Sequence, residues 1–416
     1  MDEVKRKKQF GRNGLKAVLL MVVCLSVAVP VWAQTLRVEL QDFREPGPRA
    51  VIEDILIPKF EALHPGVKVE VSFTDWTNYI EKYVTYYLGG VLPDVLNVGS
   101  AALGQFAEQG LIRPLNEYVN NWEAKDDFIP AALEDGKIGD TYWAITNRYD
   151  VKTLGYNMDM FDLAGLDRNA PPTTWDELAQ YARRLTQHDS EGNIYVQGFD
   201  VRPNKDHVLP FVYQAGGRFM SPDGTETLLA SDEAVEAVEF LHSLIWEHGA
   251  SLPTAHSLVQ GRVAMLYEGS WIMQDIYKDR FDLGIAEPLT HREQATHAYS
   301  NRLAIASTSQ HPDLAWAFID FLLEPEHMSL IVSESKSFPP RISTLQLPPF
   351  SDDERWLAWL TAAMVSIPQP GYITELPEVI SKYHAALEDI FNNRAPARTR
   401  LAEFARDVNQ NVLPVK

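Results

Sequence analysis

The sequence predicts an α/β protein built as two lobes, and three observations carry that expectation. Strand-period and helix-period segments alternate along nearly the whole chain. Roughly 380 residues follow an apolar N-terminal segment, more than a single core organises comfortably. No internal repeat or low-complexity linker divides them.

Leu36, Val38 and Leu40 alternate with polar residues, which is strand period. Val51, Ile52, Ile55, Phe60 and Leu63 then recur at helical steps, with Pro58 placed to kink or reset the helix. After His64, Pro65 and Gly66, the set Val67, Val69, Val71 and Phe73 alternates again. Strand, helix, strand is one βαβ unit, and its strands are expected to be parallel. A second unit has a helix at 79–88, a stop at Gly89 and Gly90, an apolar strand at 95–98 and a helix at 101–109.

Further on, 142–146 and 153–157 read as strands. Thr174 is a predicted N-cap with Glu177 three residues later, a capping box. Trp175, Leu178, Tyr181, Ala182 and Leu185 form the buried stripe of that helix. The run 189–193 (DSEGN) resembles a calcium loop only in its first acids, and the later bidentate acid is missing, so a polar turn before a strand at 194–199 is expected. Ser231 caps another amphipathic helix, with Gly249 after its end. Short strands are expected at 263–266 and 281–285. Pro312 opens a helix that Pro325 stops, and from Asp352 the chain is mainly helical.

The N-terminus reads as a secretory leader. Lys5, Arg6, Lys7, Lys8, Arg12 and Lys16 precede an apolar run at 17–31, and Val31-Trp32-Ala33 has the layout of a cleavage site before Gln34. The run is short for a membrane span and Pro30 breaks its end, so removal is expected over retention as an anchor. Cys24, the one cysteine, lies inside this run. The remainder then has no disulfide, thiol catalyst or cysteine-held metal. Val23 before Cys24 argues against lipidation, and a periplasmic protein is the simplest reading. The leader's six cations and two anions carry a surplus of four positive charges, so the rest is near −24 against −20 for the whole chain. Such a surface repels nucleic acid and anionic lipid.

The usual signatures of chemistry are missing. There is no Gly-rich phosphate loop, no HExxH or paired-His metal spacing and no G-x-S-x-G elbow. Carboxylates are abundant, but nothing singles out one hydrolytic pair. No cofactor and no metal are expected, and the residues point to binding rather than turnover.

Several ordered segments resemble the extracellular solute-binding proteins of bacterial ABC importers, in the sugar-binding group that includes maltose-binding protein. They are 60–71 (FEALHPGVKVEV), 89–100 (GGVLPDVLNVGS), 106–119 (FAEQGLIRPLNEYV), 154–166 (LGYNMDMFDLAGL) with 172–178 (PTTWDEL), 214–217 (QAGG), the helix after Ser231, 261–271 (GRVAMLYEGSW), 312–323 and 337–341 (SFPPR). The resemblance implies a type II-like periplasmic-binding-protein fold. Each lobe would be a central, mostly parallel sheet flanked by helices, with a hinged cleft between lobes that close over ligand. It implies a signal peptide at 1–33, a first lobe of 34–147 plus 302–346 and a second of 148–301 plus 347–416. The crossings would fall near Asn147, near Asn301 and after Ser343. It also implies a monomer that hands its ligand to a membrane permease.

A sugar offers C–H faces that stack on aromatic rings and hydroxyls that need fixed donors and acceptors. By the resemblance, Trp271 in Glu268-Gly269-Ser270-Trp271 is a cleft tryptophan of the second lobe, with Glu268 and Gly269 beside it, and Ser100 lies on a loop facing ligand. Phe43 and Arg44 follow the first strand at its carboxyl end, where open α/β sheets bind ligands; Asp75, Trp76 and Tyr79 follow the second strand similarly. Asn147, Arg148, Tyr149 and Asp150 lie at the first crossing, Asp200, Arg202 and Asn204 after the strand at 194–199, and Tyr299 and Arg302 beside the second crossing. Tyr372 sits in an aromatic-polar loop that would cap the ligand. Arg341 is expected in an ion pair between lobes, with a ligand contact as the alternative, and Gln214, Gly216 and Gly217 in backbone geometry.

The leading expectation is a receptor for a mono- or oligosaccharide. Two others stay open. One is a receptor for glycerol phosphate or a polyamine, since Arg44, Arg148, Arg202 and Arg302 would suit an anion and Asp42, Asp75, Asp150 and Asp200 a cation. The other is a secreted glycoside hydrolase, which would share the acidity and the aromatic content.

Overall fold

The structure, a computed structural model, describes residues 34–41, 46–254, 258, 260–273 and 280–413. The leader expected at 1–33 and the candidate residues Phe43 and Arg44 lie outside the described residues.

The strands in chain order are β1 (Gln34–Gln41), β2 (Val67–Thr74), β3 (Val95–Gly99), β4 (Lys137–Ile138), β5 (Thr141–Tyr142), β6 (Ile145–Val151), β7 (Thr153–Asn157), β8 (Gln187–His188), β9 (Ile194–Phe199), β10 (Val263–Glu268), β11 (Leu283–Ala286), β12 (Thr296–Ile305) and β13 (Ser366–Pro368). They form two mixed sheets and one small hairpin, β4 with β5. The first sheet has the order β13-β12-β3-β1-β2, with β6 also paired to β12. The second has the order β11-β7-β10-β9-β8. Helices cover both sheets, giving the two-lobed α/β architecture.

In the first sheet β1 runs parallel to β2 and β3, as the βαβ reading requires, and β12 is antiparallel to β3 and β6. The second sheet departs from the expected parallel pattern. Only β10 and β9 are parallel there; β7 is antiparallel to both β10 and β11, and β8 to β9. The reason is the direction of entry. β9 and β10 end near the first sheet, whereas β7 comes straight from β6 and runs away from it.

Local signals account for most element boundaries. Thr174 accepts a hydrogen bond from the Glu177 N–H (3.3 Å), and the Glu177 carboxylate accepts in return from the Thr173 N–H (2.8 Å). Ser231 caps helix Asp232–Trp246 by accepting from the Ala234 N–H. Pro58 lies where a π-helical segment, Val51–Leu56, passes directly into helix Ile57–Leu63, so the N–H it lacks falls at a change of helical register. The 189–193 run is a turn in which Asp189 accepts N–H groups of Glu191 and Asn193. The strand expected at 142–146 is two strands, because β5 pairs with β4 while β6 pairs with β12. The one expected at 281–285 begins at Leu283.

Apolar faces of these elements close two main cores. One gathers Trp175, Phe199, Phe211, Tyr267 and Leu387 in the second lobe. Gln214 is its polar centre. Its side chain accepts from Trp175 Nε1 (2.8 Å) and donates to the Tyr267 hydroxyl and the Ala295 carbonyl (both 3.0 Å). That satisfies a fully buried amide, so Gln214 holds packing together as well as backbone shape. The other core gathers Leu36, Val38, Phe60 and Phe318 of the first lobe with Trp359, and extends to Leu266 and Leu283. Helix Arg355–Met364 packs against β6, β7 and β11, and so touches both sheets. Arg341 pairs with Asp127 (2.8 Å) and donates to the Leu323 carbonyl, contacts within the first lobe rather than between lobes.

Candidate functional site

The chain passes from the first sheet to the second through one residue. β6 ends at Val151, β7 begins at Thr153, and Lys152 lies between them. Lys152 is 2 % exposed. Thr153 is in register with Glu268, the last residue of β10, so the lysine is delivered to that carboxylate and pairs with it.

Strand alternation divides the crossing ribbon into two faces. β6 and β12 pair Asp150 with Tyr299 and Arg148 with Asn301, and beyond Asn301 lies Gly99 of β3. These residues share a face with Lys152. Tyr149 and Arg302 take the other face. Tyr149 is fully buried and its hydroxyl is 2.8 Å from Ser366 Oγ. Arg302 is fully buried and pairs with Asp135 at 2.6 Å, and Ser300 Oγ also donates to that carboxylate. Ser100 is likewise engaged with the first sheet, donating to the Ser300 carbonyl (3.0 Å) and accepting from its N–H (2.8 Å).

The second lobe faces the ribbon with a dense set of charges. Glu268 accepts from Lys152 and from Arg202 (3.2 Å), and Arg202 also donates to Asp200 (2.5 Å). Lys205 pairs with Asp206, which also meets His297 Nε2 at 3.3 Å. Asn204 caps the helix that carries them, Lys205–Gln214, by accepting from the His207 N–H. Burial alone would push Glu268 up, but the surrounding cations, Lys152 first, hold it down at about 2. Asp206 is held low in the same way, by Lys205 and the hydrogen bond from His297. Burial pushes His207 down to about 3 and His297 to about 4, so both are neutral at pH 7. Lys152, Arg202 and Lys205 therefore balance Asp200, Asp206 and Glu268, and this wall carries no net charge.

Aromatic rings flank the charges. Lys152 Nζ lies 4.6 Å from the Trp271 ring centroid and 5.7 Å from that of Tyr299. Lys205 Nζ lies 5.4 Å from the Tyr299 ring. Trp271 folds back over Gly269, where an added Cβ would meet the indole at 2.2 Å. Trp76 repeats this arrangement in the first lobe. It stands edge-on to Tyr79, 5.4 Å between centroids, and a Cβ on Gly99 would meet Trp76 and the Tyr79 hydroxyl at 2.8 Å. Each tryptophan is thus seated on a glycine. Trp76 is 47 % exposed, whereas Tyr79 is buried beneath it.

The remaining expected residues take varied places. Asp75 is exposed and closes its own turn by accepting from the Thr77 N–H. Asn147 and Arg148 line a small pocket with Leu40, Gln41 and Met328 at the carboxyl end of β1. Burial raises Asp150 to about 6 despite Arg148 and Lys152 nearby. Tyr372 is 39 % exposed; its ring lies against Gly224, in a turn, and its carbonyl over Gly104, in helix Leu103–Glu108.

Sequence reading missed Lys152, Lys205, Asp206, His207 and His297. For Lys152 a signal existed, because it continues the period-two series of Arg148 and Asp150. For the others the signal is tertiary: helix Lys205–Gln214 reaches β12 only when the chain folds. Among the described residues no cluster of His, Cys, Asp and Glu could hold a metal ion, and no helix is long and apolar enough to cross a membrane.

Residues 45–329 match the family described as bacterial extracellular solute-binding protein. A maltotriose-binding protein of Pyrococcus abyssi is 24 % identical over 345 residues, 79 % of this chain and 70 % of that protein. The sugar-binding protein MalE of Xanthomonas citri superposes with a TM-score of 0.80 at 20 % identity, covering 91 % of this chain and 97 % of that one. A solute-binding protein of Thermotoga lettingae, solved with α-D-tagatose, superposes with a TM-score of 0.78 at 23 % identity, covering 92 % of this chain and all of that one.

Proposed function

This chain belongs to the bacterial extracellular solute-binding proteins, and we propose that it captures a carbohydrate between its lobes and delivers it unchanged to the permease of an ABC importer. The observation that carries this reading is the pairing of tryptophan platforms with a polar wall of zero net charge. Trp271 and Tyr299 stand beside three cations and three carboxylates that cancel. Such a wall offers fixed donors and acceptors to hydroxyls, and flat rings to C–H faces. A phosphate or a polyamine calls for a surplus of one sign, which this wall lacks. The sugars bound by the Pyrococcus and Thermotoga proteins support the same ligand class.

Hydrolysis fits the site poorly. It needs one carboxyl held protonated and a second placed across the scissile bond. Glu268 and Asp206 are held ionised in ion pairs with Lys152, Arg202 and Lys205, so neither is free to act opposite Asp150, the carboxyl that burial raises to about 6. Binding with closure about the β6–β7 and β12 crossings is the mechanism we favour, with a first lobe of 34–147 plus 302–346 and a second of 148–301 plus 347–416. The protein acts outside the cytoplasm as a monomer, after removal of the leader at Gln34.

The test is a thermal-shift screen followed by calorimetry on the mature protein. The panel holds mono- and oligosaccharides, polyols, glycerol phosphates and polyamines. A ligand that binds the folded form raises Tm by mass action. A saccharide hit supports the reading; stabilisation by glycerol phosphate or polyamine alone, with saccharides inert, overturns it.

A further inference from the structure

Four acceptor oxygens in and beside the crossing ribbon have no hydrogen-bond partner. Asn147 Oδ1 lies at the register shift of β6, and the other three, Asp150 Oδ1, Asn301 Oδ1 and Gln369 Oε1, lie on the face that Lys152 shares. The residues of these three are 5 %, 5 % and 3 % exposed. They come from three chain segments that the register brings together. Asp150 lies opposite Tyr299, and Asn301 opposite Arg148. Gln369 follows β13 and donates its N–H to the Ala298 carbonyl; continuing the Ala298–Pro368 register places it beside Tyr299. The result is two adjacent cross-strand rows, Arg148–Asn301–Gly99 and Asp150–Tyr299–Gln369, about 7 Å apart along the strands. Trp76 closes over the Gly99 end of the first row, and Trp271 stands 6.3 Å from Tyr299 of the second.

Resting on the carbohydrate reading, we infer that these three oxygens form a donor-reading subsite that selects uncharged polyhydroxylated ligands over their anionic derivatives. A buried acceptor left unpaired costs free energy, and folded proteins seldom keep one without a use. Three on neighbouring rows, between two tryptophan platforms, wait for hydrogen-bond donors. The neighbouring lysine cannot serve them, because Lys152 is committed to Glu268. Hydroxyl groups supply donors without charge. Phosphate and carboxylate oxygens supply only acceptors and would face acceptors at these three positions, with Arg148 as the cation of the first row. The spacing of the rows suits one sugar ring with its exocyclic oxygens. Asn301 and Gln369 lie in segments, β12 and the loop after β13, whose placement side by side is purely tertiary.

The substitutions Gln369→Met and Asn301→Leu test this with a signature that a structural role cannot mimic. Each removes an unpaired buried acceptor while roughly keeping side-chain volume. The free protein should gain thermal stability, while affinity for a bound saccharide falls about tenfold. Calorimetry would use glucose, mannose, tagatose, maltose and maltotriose, with glucose 6-phosphate and glucuronate as anionic counterparts. Neutral sugars should bind at least tenfold tighter than the anionic ones. If a neutral sugar binds and both variants keep full affinity, or if both lose stability, the subsite is overturned and the carbohydrate reading stands. Equal binding of glucose and glucuronate also overturns it. Wild-type protein that binds no saccharide removes both readings.

Discussion

The Lys152 ammonium sits 4.6 Å from the centre of the Trp271 ring while pairing with Glu268, so one side chain ties the strand crossing to both the charged wall and the aromatic platform. Its position follows from backbone geometry alone. A single residue separates strands of different sheets, and its side chain has nowhere to point but the space between them. A cation over an indole gains from the ring quadrupole, and the neighbouring carboxylate offsets the cost of its burial.

Removing that lysine should therefore be costly. Lys152→Met takes from Glu268 its principal cation and leaves Arg202 and the Gly269 N–H, and breaking a buried pair costs about 3–5 kcal/mol. In denaturant titrations Lys152→Met/Glu268→Gln should be less destabilised than the sum of the two single variants, by about 0.5–3 kcal/mol. Strict additivity would show that the contact contributes nothing.

Gly269 and Trp271 should behave as one unit. A Cβ at Gly269 would overlap the indole at 2.2 Å, so Gly269→Ala must displace the ring. Saccharide affinity of Gly269→Ala and of Trp271→Ala should fall by similar factors, roughly tenfold to a hundredfold, about 1.4–2.8 kcal/mol. Calorimetry with the best sugar checks this. A Gly269→Ala protein that binds like wild type would mean the ring position is unimportant.

Arg302 should matter for stability and not for ligand. It is fully buried against Asp135 on the ribbon face opposite the polar rows. Arg302→Met strands the Asp135 carboxyl, and a loss of about 3–5 kcal/mol is expected. Paired measurements of Tm and sugar affinity should show a large drop in the first and a change within about threefold in the second. The reverse pattern would return Arg302 to the ligand.

Acid should destabilise the protein before it reaches the ordinary carboxylate range. His207 and His297 are held neutral, with values near 3 and 4, while the unfolded chain takes up those protons below its ordinary value of 6.5. Their contribution is complete above pH 6.5 and is lost as pH falls toward 4 and 3. Glu268, held at about 2, adds stability above its ordinary 4.5 that is lost as pH falls below it. Asp150 acts in the opposite sense, since its raised value of about 6 favours the folded state as it protonates. Two histidines and a carboxylate outweigh one group, so Tm at pH 4 should lie roughly 5 °C or more below that at pH 7. A Tm that is flat or rising over that range contradicts this assignment of charges.

Much of the fold was legible because its signals are local. Caps at Thr174 and Ser231, the proline start at Pro312 and the alternation of β1, β2 and β9 act within a few residues. The candidate site was legible in part. Trp271, Asp150, Arg202 and Tyr299 converge on the crossing, while Tyr149, Ser100 and Arg302 make their bonds within the first sheet and its flanking segments. Nothing local separates Asp150 from Tyr149, because adjacent strand residues point to opposite faces and only the register says which face meets the other lobe.

By itself the sequence determined the α/β class, the order of the elements and the supply of aromatic and charged residues, since these rest on periodicity, capping and composition. Tertiary structure alone decided which charges cancel, which glycines seat the tryptophans and which acceptors are left waiting. The pairings that anchor the site, Lys152 with Glu268 and Asp135 with Arg302, join segments more than a hundred residues apart. Coulomb and hydrogen-bond energies fall steeply with distance, so a residue's role emerges only when folding brings its partner within a few ångströms.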